Sequence, residues 1–175
     1  MNANITENAA AVNALLLDGS RLYIGTDTGL TVLDTAANKI ATGSFSDMLE
    51  GQRVRHLMRD GGGNIWVSTY GQDGLVRLLP GGKIMSYNNN STPEILGSRF
   101  RFALELHDGT ILASSTDGLN FINNGRIVGT IGSDDGLEVP QILSAVERDD
   151  GAVLAGSDGD GIYVIKDMKI AGHIG

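Results

Sequence analysis

Short aliphatic runs alternate with turn signals along the whole chain, and one run recurs four times. The segments Leu22-Tyr23-Ile24-Gly25-Thr26, Ile65-Trp66-Val67-Ser68-Thr69, Ile111-Leu112-Ala113-Ser114-Ser115 and Val153-Leu154-Ala155-Gly156-Ser157 begin 43, 46 and 42 residues apart. Each ends in two small or hydroxyl-bearing residues and is followed by a Gly-aliphatic pair: Gly29-Leu30, Gly74-Leu75, Gly118-Leu119 and Gly161-Ile162. A basic-Ile pair comes later in each unit, at Lys39-Ile40, Lys83-Ile84, Arg126-Ile127 and Lys169-Ile170. Eleven positions before each run stand Ala11, Val54, Phe100 and Ile142, with Leu15, Met58, Leu104 and Val146 four residues further on.

Each unit therefore reads as four short strands, the first near 11–17, 53–59, 100–106 and 141–147. Asp18-Gly19, Gly61-Gly62-Gly63-Asn64, Asp108-Gly109 and Asp150-Gly151 supply the turn between the first two strands, where Asn, Asp and Gly accept the positive φ of tight hairpins. Strands separated by such signals predict an all-β fold. No amphipathic helical period stands out.

A fixed period of this length with four strands per unit predicts a β-propeller of four blades, each of four antiparallel strands, with the first strand innermost. The repeats run approximately 9–51, 52–97, 98–138 and 139–175. A β-sandwich is the competing fold, but it has no reason to repeat the same anchors. The final Ile174-Gly175 matches Ile131-Gly132 in the preceding unit, which leads us to expect an arc of a larger ring of about seven blades, within the usual range of four to eight. An arc leaves apolar outer faces on its end blades, and such a chain dimerises, aggregates or needs its missing blades.

Composition narrows the function. Thirteen basic residues against 21 acidic ones give a net charge of −8, and the dispersed Lys and Arg argue against nucleic acid, whose phosphates need clustered cations. The absence of cysteine excludes disulfides and thiolate metal sites. No apolar run is long enough to span a membrane, so no membrane contact is expected of this segment. The stretch Ala9 to Leu17 is apolar apart from Asn13, yet no Lys or Arg precedes Arg21, so the basic start of a signal peptide is missing. Glycine makes up 25 of the 175 residues, as a turn-rich fold requires.

The second repeat carries Val54, Leu57, Asp60, Gly63-Asn64-Ile65-Trp66-Val67-Ser68-Thr69 and Gly74-Leu75, and the fourth has the linker Asp135-Gly136-Leu137 with Gly161-Ile162. These residues resemble the two-component regulator propeller repeat, over essentially all of 9–173. The other repeats have Tyr23, Leu112 and Leu154 in place of the Trp, and repeats one and three lack the Asp-Gly-Leu linker. The resemblance implies an extracytoplasmic sensor on the periplasmic or cell-surface side of a membrane-anchored signalling protein. The output there is a histidine kinase or a GGDEF-type diguanylate cyclase, outside these 175 residues. No catalysis and no cofactor are expected within the chain.

Candidate chemistry is sparse. His56, His107 and His173 fall in three different settings without ligand spacing, so no metal or catalytic triad is expected of them. Asp158-Gly159-Asp160-Gly161 resembles the opening of a calcium loop but lacks its closing Glu, and a simple turn is the better reading. Gly61-Gly62-Gly63 opens no helix and so offers no phosphate cradle. Trp66 is read as blade packing. The sharper feature is Arg53-Val54-Arg55 and Arg99-Phe100-Arg101, at matching positions of adjacent first strands where the other repeats have Ala10, Val12 and Gln141, Leu143. Guanidinium forks near a channel mouth suit a carboxylate or phosphate. The competing reading pairs these arginines with nearby acids or leaves them solvated. Tyr70, Gln72 and Asp73 sit in the longest loop between second and third strands, where recognition is commonly carried.

The expected function is a ligand-binding sensory module taking a small-molecule or saccharide-like, anionic ligand. Its expected protein partners are further blades of the parent protein or a second copy. The alternatives are a propeller enzyme of the lyase or lactonase type and a protein-interaction scaffold.

Overall fold

The computed structural model describes residues 11–175; the expected start of the first repeat at residue 9, and Ala10, lie outside them. Sixteen strands form four separate antiparallel sheets, each a meander in chain order. The first blade contains β1 (Val12–Asp18), β2 (Arg21–Thr26), β3 (Gly29–Asp34) and β4 (Lys39–Ala41). The second contains β5 (Val54–Arg59), β6 (Ile65–Thr69), β7 (Leu75–Leu78) and β8 (Ile84–Tyr87). The third contains β9 (Phe100–Glu105), β10 (Ile111–Ser115), β11 (Leu119–Asn123) and β12 (Arg126–Ile131). The fourth contains β13 (Ile142–Glu147), β14 (Val153–Ser157), β15 (Ile162–Lys166) and β16 (Lys169–Ile174).

Blades stack in sequence through their first strands, β1 on β5, β5 on β9 and β9 on β13, whereas β13 and β1 do not pack on each other as those pairs do. The chain is an all-β propeller arc of four blades. Its core is three interblade layers. Tyr23, Leu30 and Val32 meet Leu57, Val67 and Val76 between blades one and two. Trp66, Leu75 and Tyr87 meet Ala103, Ala113 and Ile122 between two and three. Leu112, Leu119 and Phe121 meet Ala155, Tyr163 and Ile165 between three and four. Side chains alternate across each strand, so every inner blade presents two apolar faces and buries both.

The recurrent glycine before each third strand has a steric origin. At Gly118 and Gly161 the backbone φ is +143° and +72°, and a Cβ would stand 2.2 Å from the carbonyl oxygen of Ile131 and of Ile174 respectively, on the fourth strand of the same blade. Any side chain there would push the outer strand away.

Two features differ from the sequence reading. The first hairpin is one residue shorter than the others, since Leu17 pairs with Leu22 across four residues while Arg59 pairs with Ile65 across five. Counting back a fixed eleven positions therefore slips the register in blade one. The equivalents of Val54 and Met58 are Val12 and Leu16, not Ala11 and Leu15, and a one-residue slip moves a side chain to the opposite face. A short helix, α1 (Ser44–Met48), also joins the first two blades, seating Phe45 and the adjacent Leu49 in the core.

Candidate functional site

Every first strand contains a β-bulge at the same place. The register skips one residue between Val12 and Ala14, between Val54 and His56, and between Ile142 and Ser144, and in β9 it passes from Phe102 to Phe100. The extra residues are Asn13, Arg55, Arg101 and Leu143. A bulge bends its strand and re-aims the extra side chain, so the innermost strands carry Asn, Arg, Arg and Leu at four equivalent, re-aimed positions. Blade one thus offers Asn13, rather than Val12, as the counterpart of Arg55.

The bulges lie at the end of the sheets that carries the hairpins between second and third strands. One backbone bond ties the two features together in all four blades. The amides of Asp27, Tyr70, Thr116 and Asp158 donate to the carbonyls of Ala11, Arg53, Arg99 and Gln141 at 3.3, 2.8, 3.0 and 2.9 Å. The loop of blade two is held beside Arg53 and Arg55 in this way.

The four arginines have different surroundings. Arg53 forms an ion pair with Asp27 of blade one at 2.7 Å, with both side chains partly exposed. The Asp27 carboxyl is held below its ordinary value, first by the hydrogen bond from Asn13 and then by Arg53. Asn13 also donates to the carbonyl of Val54 at 3.0 Å, bridging blades one and two. Arg55 lies with its guanidinium carbon 5.4 Å from the centre of the Tyr70 ring, and its Nε is shielded from solvent without a hydrogen-bond partner. Arg99 is exposed and Arg101 half-buried, and neither pairs with an acidic side chain among the described residues. The structure therefore gives Arg53 to an interblade ion pair, while among the described residues Arg55 and Arg101 form no ion pair, Arg55 acting on Asp27 only through its charge.

The loop residues also divide. Tyr70 covers Arg55. Asp73 is clamped by Gln52, whose side-chain amide donates to the Asp73 carboxylate and accepts from its backbone N–H at 3.2 Å. Gln52 also donates to the carbonyl of Met48 at 3.0 Å. Gly71 makes this clamp possible, since a Cβ there would stand 2.1 Å from Gln52 Oε1. Gln72 is exposed at the tip. Gln52 was missed from sequence, because a lone polar residue in a linker carries no period or motif.

The histidines sit apart. His56 accepts from the amide of Ala103 at 3.4 Å through Nδ1, joining β5 to β9, and burial pushes its pKa down. The amide of His107 donates to Glu147 at 2.6 Å. His173 stacks on Tyr163 with ring centres 4.7 Å apart. Among the described residues no three His, Asp or Glu side chains are placed to hold a metal ion. Asp160 takes the hydroxyl of Tyr163, so the 158–161 segment acts as a turn fastened to its own blade.

At the opposite end of the sheets, Asp60 organises the β5–β6 hairpin. Its carboxylate accepts from the backbone and side chain of Asn64 and from Trp66 Nε1 at 2.7 Å. Burial raises its pKa, but the hydrogen bonds from Trp66 and Asn64 outweigh that and hold it below the ordinary value. Trp66 stacks on Tyr87 at 5.6 Å, and Arg77 lies 5.1 Å from the centre of its ring. The Asp60, Asn64 and Trp66 pattern is thus a structural fastening. Cavities of about 410, 350 and 350 Å³ open at this end. The first is lined by His107, Asp108, Glu147 and Asp149, the second by Asp60, Arg77 and Glu105. The third is lined by Asp18, Arg21 and Arg59, so this end carries arginines as well as carboxylates.

The two component regulator propeller family matches residues 48–71, which span Gln52, β5, the Asp60 hairpin and β6. The chain carries a two component regulator propeller repeat. Among solved structures, it superposes over its full length on the extracellular domain of the hybrid two component system BT3049 of B. thetaiotaomicron, with a TM-score of 0.80 and 22% identity. The corresponding domain of BT4673 from the same organism gives 0.60 and 16% over 98% of the chain. The chain spans only 23% and 28% of those two structures. A streptogramin B lyase gives 0.64 at 16% identity, covering 94% of this chain and 54% of the lyase. The computationally designed Ika4 protein gives 0.65 at 14%, covering 90% and 92%. No curated protein matches. These likenesses fix the propeller fold. Among the described residues no helix is long and apolar enough to cross a membrane.

Proposed function

We propose that the chain is a ligand-binding sensory module of a bacterial signalling protein, that it takes a small anionic ligand at the end that carries Arg55 and Arg101, and that it performs no catalysis itself. The observation that carries this reading is the pair Arg55 and Arg101. They occupy the same bulge in adjacent blades, and the Nε of Arg55 is buried without a partner. A buried unpaired donor costs free energy, and a carboxylate or phosphate oxygen would remove that cost while forming charge-assisted bonds. The regulator propeller repeat and the extracellular domains of two component systems among the similar structures support a sensory role on the extracytoplasmic side. The output would be carried by another part of the parent protein. A lyase or lactonase activity lacks a convergent set of acid and base groups at this end among the described residues.

The test is isothermal titration with sodium glucuronate and with inorganic phosphate. Saturable binding is expected, weakened about tenfold by Arg55→Ala or Arg101→Ala, as losing roughly one charge-assisted bond implies. Binding that both variants leave unchanged would place the ligand elsewhere, and no binding of either anion would remove the anionic class.

A further inference from the structure

The three cavities at the Asp60 end occupy equivalent places in the fold. Each opens along the seam between successive blades, beside the last residues of the first strands, Asp18, Arg59, Glu105 and Glu147, which strand pairing makes equivalent. Their chemistry differs. Between blades one and two, Arg59 forms an ion pair with Asp18 at 3.0 Å, and Arg21 is exposed. Between blades three and four no Lys or Arg lines the cavity. Between blades two and three, a cavity of about 350 Å³ combines Arg77 with Glu105 and Asp108 over Trp66, Ile111 and Ile122.

Arg77 is half-buried and is not used up by the protein's own acids. Its guanidinium carbon lies 5.1 Å from the centre of the Trp66 ring, a contact that holds the cation without occupying its N–H donors. Its Nε is shielded from solvent without a partner, and no ion pair or hydrogen bond holds the guanidinium among the described residues. Asp60 lines the same cavity and is influenced by the charge of Arg77, but its oxygens are taken by Asn64 and Trp66. Gly125 leaves room for the fork, since a Cβ there would stand 3.4 Å from Nη1 of Arg77. On the blade-three side, Glu105 accepts from the amide of Gly61 at 2.7 Å through one oxygen. Asp108 likewise accepts from the amide of Thr110 at 2.8 Å. Each keeps a second carboxylate oxygen without a hydrogen bond among the described residues.

We propose that this cavity binds a small amino acid as its zwitterion, with the carboxylate on the Arg77 fork and the ammonium on Asp108 and Glu105. A lone anion there meets one guanidinium but three carboxylates, those of Asp60, Glu105 and Asp108. A lone cation meets the unpaired Arg77. A molecule carrying both charges forms charge-assisted bonds at each wall, and the volume suits a small ligand. The site lies at the opposite end of the sheets from Arg55 and Arg101 and does not depend on the anion proposed there.

Trp66 is the single tryptophan of the chain, so its fluorescence reads this cavity directly. Glycine and β-alanine are titrated into the full chain beside sodium acetate and methylammonium chloride, which carry one charge each. A saturable change in emission is expected with at least one of the two amino acids, at a Kd at least about tenfold below that of either single-charge ion. Arg77→Met keeps an apolar cover on Trp66, and Asp108→Asn keeps the acceptor for the Thr110 amide at an exposed position. Each is expected to weaken binding about tenfold, the loss of roughly one charge-assisted bond, read by calorimetry because Arg77→Met itself alters the emission. Acetate or methylammonium binding as tightly as the amino acids would overturn the assignment. So would the lack of a saturable change with both amino acids, or binding that either variant leaves undiminished.

Discussion

Trp66 donates from its indole nitrogen to the Asp60 carboxylate at 2.7 Å, six residues back across the β5–β6 hairpin. The same carboxylate holds the backbone and side chain of Asn64, so one buried anion satisfies donors from the turn and from the blade face. Asp60→Ala leaves the Trp66 and Asn64 donors buried and unpaired. The expected loss is about 3 kcal/mol, from roughly two charge-assisted bonds, read as a lower denaturation midpoint. Trp66→Phe keeps the packing on Tyr87 and should lose about half as much, near the value of a single such bond.

The same contact gives the fold an acid limit. The Asp60 pKa lies below its ordinary value of 3.8. Between the two values the unfolded chain binds the extra proton, so stability rises with pH through that window. The contribution is complete above the ordinary carboxylate value and is lost as pH falls through the lowered one. Asp60→Asn should flatten this part of a stability profile measured below about pH 4. A slope that persists unchanged in the variant would assign the acid limit to other carboxylates.

Much of this architecture was legible because its causes are local. In blades two to four the glycine before the third strand is forced by a carbonyl of the fourth strand, in blade one Gly29 faces the carbonyl of Leu49 after α1 instead, and the hairpin turns are set by positive φ, so both signals recur in the sequence at every repeat. The register of blade one was misread because its hairpin lacks one residue, which a fixed offset cannot detect. The bulges were invisible, since an extra residue in a strand changes no residue type, although Arg55 and Arg101 had already been singled out by their matching positions. The interblade ion pair of Arg53 with Asp27 and the Gln52 clamp were unreadable for another reason. They join segments that only the stacking of blades or the folding back of a linker brings together.

The linkers between blades carry a recurrent signal of their own. Leu49, Ile95 and Leu137 each stand five residues before Val54, Phe100 and Ile142, the first buried side chain of the next blade, and all three are buried. The Asp-Gly-Leu linker is one version of this plug. Leu137→Ala should cost about 3 kcal/mol, as cavities left by buried leucines do, measured by thermal or chemical unfolding. Leu143→Ala, at an exposed bulge, is expected to cost less than about 0.5 kcal/mol.

Gly71 and Gln52 should behave as a coupled pair. Gly71→Ala forces its methyl group into Gln52 Oε1 and so displaces the amide from Asp73, loosening the loop that carries Tyr70. Its destabilisation, about 1–2 kcal/mol for overpacking, should shrink when Gln52→Ala removes the obstructing amide, giving a non-additive cycle. Hydrogen exchange at residues 70–74 reads the same event locally, with faster exchange in Gly71→Ala than in the native chain. If the two substitutions add, the clamp and the loop are independent, and Tyr70 is then held over Arg55 by its backbone bond to Arg53 alone.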